Sequence, residues 1–297
     1  GGHGSAGISR ARIGDPRNRE LFDEALLVSE SDLVRAEAFV AGDEYTTVGL
    51  VRDGVFQLLA QGRKFSMRHL RSTLPTGFAW GTPAAGQNAS QDSQWAPAAK
   101  LAQRVADSLR VTNAFLILDL LDDGETRHVI DVHAGLGHTI PRALGFSGIP
   151  WADLTLDLAT GAEPSIFSAP GESACGYAHR YFYAPGQGIL AEGATTRFEP
   201  IEPEQASSTG WRQIPANEGL LEIVWDQRRG LTVERPRAAK DRVMSVLVKA
   251  PDCNAAWMRA NQIDPDDLFR VREIKPKPAS ASGSGNHAEW PMTPPRR

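Results

Sequence analysis

Cysteine is nearly missing from this 297-residue chain: there are two, Cys175 and Cys253, far apart and in no Cys-x-x-Cys or Cys/His cluster. That excludes a zinc ribbon and a disulfide framework and fits a reducing compartment, so a cytoplasmic location is expected. Long apolar runs are lacking too. None approaches the roughly 18 residues that cross a bilayer, and the amino terminus has no signal-peptide pattern, so no membrane partner is expected. Positive charge is not in excess either. A net charge of −4 and a pI near 6.0 provide no basic field, and nucleic acid is not an expected partner. No internal repeat is found. With 41% hydrophobic and 23% charged residues, what is there is an ordinary globular composition, long enough for two compact units.

Along the chain, Asp15-Pro16 precedes Leu21, Phe22, Ala25 and Leu26 at helical spacing. Strand-like runs follow at Leu33 to Val40, Tyr45 to Val51 and Val55 to Ala60, with Asp53-Gly54 as the turn between the last two. The Gly, Pro, Ser and Gln-rich stretch from Thr73 to Ala96 reads as a long surface loop. Ala98, Leu101, Ala102, Val105, Ala106 and Leu109 keep the i, i+3, i+4, i+7 rule of an amphipathic helix. A second helix is expected from Pro150 to Ala159, ending at Gly161. After about Pro164 the pattern changes to alternating runs at Gly176 to Phe182, Leu220 to Trp225, Leu231 to Val233 and Val243 to Val248, with one helical patch at Ala255 to Asn261. Three segments result: 1–162, a smaller β-rich lobe at 163–272, and a tail at 273–297 whose Lys-Pro and Ser-Gly composition cannot order itself.

The chemistry concentrates at two acids. Asp119 and Asp131 each end an apolar run, and the Asp123-Gly124 turn between the runs reads as a hairpin that makes the carboxylates cross-strand neighbours. Like charges opposite each other destabilise a sheet unless something positive lies between them. Hard oxygen ligands point to Mg²⁺ or Mn²⁺. His133, two residues past Asp131, points to the same face and completes a candidate metal set. The plainer alternative is a pair of solvated strand ends.

Taken in order, four features of residues 1–162 resemble the nucleotide-binding half of an ATP-grasp carboxylate–amine ligase, the superfamily of D-alanine–D-alanine ligase, biotin carboxylase and the L-amino-acid ligases. They are Gly4-Ser5-Ala6-Gly7-Ile8-Ser9, Glu37-Ala38-Phe39-Val40, Gly42-Asp43-Glu44-Tyr45-Thr46 and the carboxylate hairpin. Residues 176–260 resemble the C-terminal β-lobe some of these ligases carry, with Lys240-Asp241-Arg242-Val243 as its Asp-Arg step. The resemblance implies an α+β fold, an antiparallel sheet with helices followed by the smaller β-rich lobe. It implies that Gly4, Ser5, Ala6 and Gly7 cover the phosphates of ATP, although a linker is an equal reading of that stretch. It further implies that the backbone of Glu37 and Val40 reads adenine, that Glu44 holds the ribose hydroxyls, and that Asp119 and Asp131 bind Mg²⁺ (or Mn²⁺) bridging the phosphates.

The departures are as specific. Where the family has Asn-Pro-Arg or Asn-x-Arg, this chain has His133-Ala134-Gly135. Imidazole suits Mg²⁺ poorly, and the arginine that holds the reacting carboxylate is absent from its place. Arg142 is the nearest substitute, though an exposed helix-start arginine is the plainer reading. Lys64, beside Arg63, is the candidate contact to the γ-phosphate. The family's lysine-bearing strand and substrate-binding lobe have no counterpart in these residues, so the expected partners are small carboxylate and amine substrates and either a second copy of the chain or a partner chain supplying that lobe. The implied reaction passes the γ-phosphoryl of ATP to a carboxylate, and an amine then attacks the acyl phosphate. A non-catalytic nucleotide-binding relative is the alternative.

Overall fold

The structure, a computed structural model, describes residues 7–69, 72–83, 95–137, 140–162, 176–192, 219–228, 230–236 and 238–272. Gly4, Ser5 and Ala6 of the expected phosphate loop and the expected tail at 273–297 lie outside the described residues. After α1 (Asn18–Leu27), strands β1 (Asp43–Arg52) and β2 (Val55–His69) form a hairpin. Its two-residue turn puts Asp53 at φ 48° and Gly54 at φ 80°, as a type I′ turn requires. Next come β3 (Ser72–Gly81), α2 (Ala96–Leu109), β4 (Ala114–Asp122), β5 (Arg127–Ala134), α3 (Ile140–Phe146) and α4 (Trp151–Thr160). The later part holds β6 (Gly176–Tyr183), β7 (Gly188–Glu192), β8 (Leu220–Trp225), β9 (Thr232–Val233), β10 (Arg242–Ala250), α5 (Cys253–Asn261), α6 (Pro265–Leu268) and β11 (Phe269–Arg272).

Eight strands form one antiparallel sheet in the order β5-β4-β1-β2-β3-β6-β10-β8, and β11-β7-β9 form a second, three-stranded sheet. The β3–β6 pairing joins strands from both sides of residue 162 in the larger sheet. Alternation sets its two faces. On one face Leu116, Leu118 and Leu120 of β4 pack with Val51, Leu58 and the alanine stripe of α2, Ala99, Ala102 and Ala106. On the other, Val48, Ile117, Trp80 and Tyr177 pack beneath Ile140, Ala143 and Leu144 of α3 and Leu154 of α4. A third core lies around β6, β10 and α5, with Phe182, Met244, Val246 and Ala256 at its centre. Among the described residues no helix is long and apolar enough to cross a membrane.

Two elements differ from expectation. The stretch from Thr73 begins as β3 rather than a surface loop, because Leu74, Trp80 and Ala79 find buried places between β2 and β6. Its proline sits opposite Ser66 at a bulge, where a missing N–H breaks no regular ladder, and the Pro75 carbonyl accepts the Tyr183 hydroxyl at 2.8 Å. Conversely, Leu33 to Val40 is not a strand. Among the described residues no strand pairs with it, and Leu33 and Phe39 are exposed, the latter capped by the Arg10 guanidinium.

Candidate functional site

The β4–β5 hairpin is closed by its acidic turn. Asp122 Oδ1 accepts the Gly124 N–H, and Asp123 Oδ1 accepts those of Glu125 and Thr126. Arg127 pairs with Asp122 and His128 with Asp123, both at 2.8 Å. The His128 ring and the two backbone N–H groups hold the Asp123 carboxyl down at about 2. With the ends fixed, a bulge decides what faces what. The register runs Leu121 to His128 and Leu120 to Val129, then slips so that Asp131 opposes Asp119 and His133 opposes Ile117. The extra residue, Ile130, brings both acids and the imidazole to one face.

There the three side chains converge, with ligand atoms of Asp119, Asp131 and His133 all within 4.8 Å of one another. Each acid has one oxygen committed to the protein. Thr46 Oγ1, from the cross-strand position on β1, donates to Asp119 Oδ1 at 2.6 Å, and the Val132 N–H donates to Asp131 Oδ1 at 2.9 Å. Asp131 Oδ2 faces His133 Nε2 at 2.9 Å, and both side chains are 56% exposed. Asp119 is partly buried, and the Asp119 end of the cluster opens into a cavity of about 420 Å³. Thr46, Asp119 and His133 are its polar end, while Phe78, Trp80, Ile117, Leu136 and Ile140 make the rest apolar.

The sheet register lays the remaining candidates beside this cluster. Asp131, Asp119, Thr46, Gly62, Trp80 and Tyr177 form one line across six strands. A Cβ at Gly62 would come within 2.7 Å of the indole, so glycine is what lets Trp80 lie over β2. The adjacent line holds Glu44, Lys64, Phe78 and His179, then Leu247 and Glu222. Glu44 and Lys64 form an ion pair with each other, both about one-third exposed. The structure thus places Glu44 and Lys64, expected at the ribose and the phosphate, on the face of the Asp119, Asp131 and His133 cluster, Glu44 two residues along from Thr46.

The other expectations scatter. Glu37 and Val40 lie in the irregular segment before β1, Glu37 paired with Arg35. Gly7 packs on α1 beside Ala25 and Val28. Arg142 is not an exposed helix-start residue but half-buried, because α3 presses it onto the sheet. Burial lowers its pKa, and Glu222 and Asp226 oppose that. Around it, Arg242 forks onto Asp226 at 2.7 and 2.8 Å and lies over the Tyr181 ring, with His179 edge-on to Tyr181 at 4.7 Å. Burial raises Glu222 to about 7, against the pull of Arg142. His179 is driven well below its ordinary value by burial, then by Arg242 and Arg142. Gly135, in the place of the family's arginine, has φ 109°, a backbone that an arginine would adopt only under strain. Thr46 and Trp80 escaped the sequence reading. Period-two alternation from Glu44 was a signal for Thr46, whereas Trp80 lay in the stretch read as a loop.

An antiparallel sheet carrying paired acids on a hairpin, helices on both faces and a second small sheet define the ATP-grasp fold, and this chain has it. Among solved structures, the chain is similar to phosphoribosylglycinamide synthetase from Anaerococcus prevotii (TM-score 0.57, 11% identity, covering 88% of this chain and 61% of that one). It is similar to the biotin carboxylase domain of 2-oxoglutarate carboxylase from Hydrogenobacter thermophilus, solved with MgADP, ADP and bicarbonate (TM-score 0.55, 13% identity, 87% and 52% covered). The L-amino acid ligase from Bacillus licheniformis is a third (TM-score 0.51, 16% identity, 80% and 55% covered). The chain spans between half and three-fifths of the length of these proteins. No family model and no curated protein matches the sequence.

Proposed function

We propose that this chain is the nucleotide-binding part of an ATP-dependent carboxylate–amine ligase that works through an acyl phosphate. The observation that carries the reading is the direct opposition of Asp119 and Asp131 with His133 beside them, at the mouth of a cavity on the one sheet face that also holds Glu44 and Lys64. The fold it shares with the three ligase and carboxylase structures supports the nucleotide and the reaction class. On this reading a divalent cation held by the three side chains would offset phosphate charge.

The donor set fits such a cation in general. Two carboxylates and an imidazole suit Mn²⁺, but the nitrogen donor does not fit Mg²⁺, which takes oxygen ligands. The chain's own residues then position and neutralise. Glu44, released from Lys64, accepts the ribose hydroxyls, and Lys64 turns to the γ-phosphate. Glu37 and Val40 offer backbone groups to adenine, Gly4 to Gly7 cover the phosphates, and Arg142 balances negative charge from the α3 side. The γ-phosphoryl passes to a small carboxylate, releasing ADP, and an amine displaces phosphate from the acyl phosphate; no side-chain nucleophile is needed. A second copy of the chain or a partner chain would supply further contacts to the carboxylate and amine.

A second reading, nucleotide binding without turnover, has its own observations: Arg142 is drawn into the Glu222 and Asp226 group, and Gly135 replaces the arginine. Calorimetric titration with a non-hydrolysable ATP analogue and Mn²⁺ tests the site, with Asp119→Asn and Asp131→Asn as controls. Cation-dependent binding lost in both variants is expected; equal binding by all three proteins would remove the site. ADP release in the presence of small carboxylates and amines separates ligase from inactive relative.

A further inference from the structure

The fold implies Mg²⁺, and the donor set does not match it. We infer that the Asp119–Asp131–His133 set holds a first-row transition-metal cation of the Mn²⁺ to Zn²⁺ series in preference to Mg²⁺, and holds it before any nucleotide arrives. The inference rests on the metal site proposed above and concerns which ion occupies it.

Three observations lead there. His133 opposes Ile117 in the register that follows the bulge and so shares the face of both acids, although it is exposed there. Its Nε2 stands 2.9 Å from Asp131 Oδ2. That is a hydrogen-bond length, and it is also the spacing of two donors about 2.1 Å from one cation and at right angles, so a cation can take the place of the shared proton with little movement of either side chain. Thr46 and the Val132 N–H occupy Asp119 Oδ1 and Asp131 Oδ1, which orients the carboxylates and leaves their other oxygens to the cluster.

The chemistry then selects the ion. Mg²⁺ dehydrates reluctantly and is held through one or two carboxylates plus substrate phosphates, so an imidazole adds nothing to its binding. Affinity for mixed nitrogen and oxygen ligands rises from Mn²⁺ through Co²⁺ to Cu²⁺ and falls back at Zn²⁺, and imidazole suits Zn²⁺ better than Mn²⁺. Three protein ligands, two anionic, need no phosphate to complete a first hold, and the exposure of His133 and Asp131 leaves room for water or phosphate oxygens at the remaining positions.

The test is a titration of the full chain with Co²⁺ alone, read by its visible absorption bands, with Zn²⁺ and Mg²⁺ as competitors and His133→Asn as the variant. His133 is exposed, so the variant keeps the fold. The expected result is one Co²⁺ per chain, displaced by Zn²⁺ and not by a large excess of Mg²⁺. His133→Asn should weaken Co²⁺ by more than the roughly 10- to 100-fold that loss of an outer partner costs, with Mg²⁺ affinity unchanged or improved. Identical Co²⁺ titrations of the two proteins, or Mg²⁺ competing on equal terms, would show that the His133–Asp131 contact is an ion pair only and overturn the inference. ATP-analogue binding is measured in the same series. If the analogue binds with Mg²⁺ and Co²⁺ titrates identically in the two proteins, the nucleotide site stands and the inference falls. If Co²⁺ binds through His133 and the analogue never binds, the converse holds.

Discussion

Asp131 and Ser245 put opposite demands on a substitution. The Asp131 carboxylate is exposed and faces a like charge on Asp119, so Asp131→Asn removes a repulsion together with an exposed pairing to His133 and touches no packing. Its effect on stability should stay within about 0.5 kcal/mol, while cation-dependent binding of an ATP analogue is lost. Calorimetry and thermal melting on the same sample check both halves; a variant that still binds the analogue contradicts the site. Ser245 is fully buried between Tyr181 and Val224, and its hydroxyl has no hydrogen-bond partner among the described residues. Leaving a hydroxyl unsatisfied in the interior costs roughly 1–3 kcal/mol. Ser245→Ala should therefore stabilise the protein by about 1 kcal/mol, a rise of about 2–4 °C in melting temperature for a chain of this size. A lower melting temperature would show that the hydroxyl has a partner.

At the scale of elements, the β2–β3 pairing builds the cavity wall. Trp80 can lie over β2 only because Gly62, its register partner, has no side chain. Gly62→Ala should push the indole off the sheet at a cost of about 1–3 kcal/mol from overpacking and deform the cavity beside Asp119. A shifted tryptophan emission together with a lowered urea midpoint is the expected result; an unchanged spectrum and midpoint would mean that Trp80 has another way to sit. The same elements mark what local pattern can convey. The β4–β5 hairpin was legible because turn and strands are contiguous, and the spacing of Asp119, Asp131 and His133 was readable, although only the bulge at Ile130 makes that spacing a facing one. Strand β3 was not legible, since its burial comes from β6, about a hundred residues later. Leu33 to Val40 failed in the other direction: an apolar run becomes a strand only where an edge accepts it, and none does here. The electrostatic influence of Glu222 and Asp226 on Arg142 is equally non-local, because β8 lies about eighty residues after α3.

For the whole molecule, the sheet face that carries the cavity also carries a partly buried ionisable group, and that makes stability depend on pH. Glu222 on β8 has its pKa raised from 4.5 to about 7, chiefly by burial and against the pull of Arg142. A raised folded-state value means that the folded chain binds the proton more tightly than the unfolded chain. The stabilisation is fully present below about pH 4.5 and is lost as pH rises through about 7. Partial solvent access reduces the full linkage, leaving a change on the order of 2–3 kcal/mol across that window. His179 works with the opposite sign: its value is lowered by burial, Arg242 and Arg142, so its contribution is present above its ordinary 6.5 and is lost as pH falls below it. The two oppose each other in the wild-type curve, and a difference between proteins separates them. Glu222→Gln is neutral at every pH and leaves His179 in place. Urea unfolding at about pH 5 and about pH 8 should therefore show wild type losing ground to Glu222→Gln by that amount as pH rises, with the His179 contribution cancelling in the difference. Parallel curves would show that Glu222 ionises in the folded protein as it does in the unfolded chain.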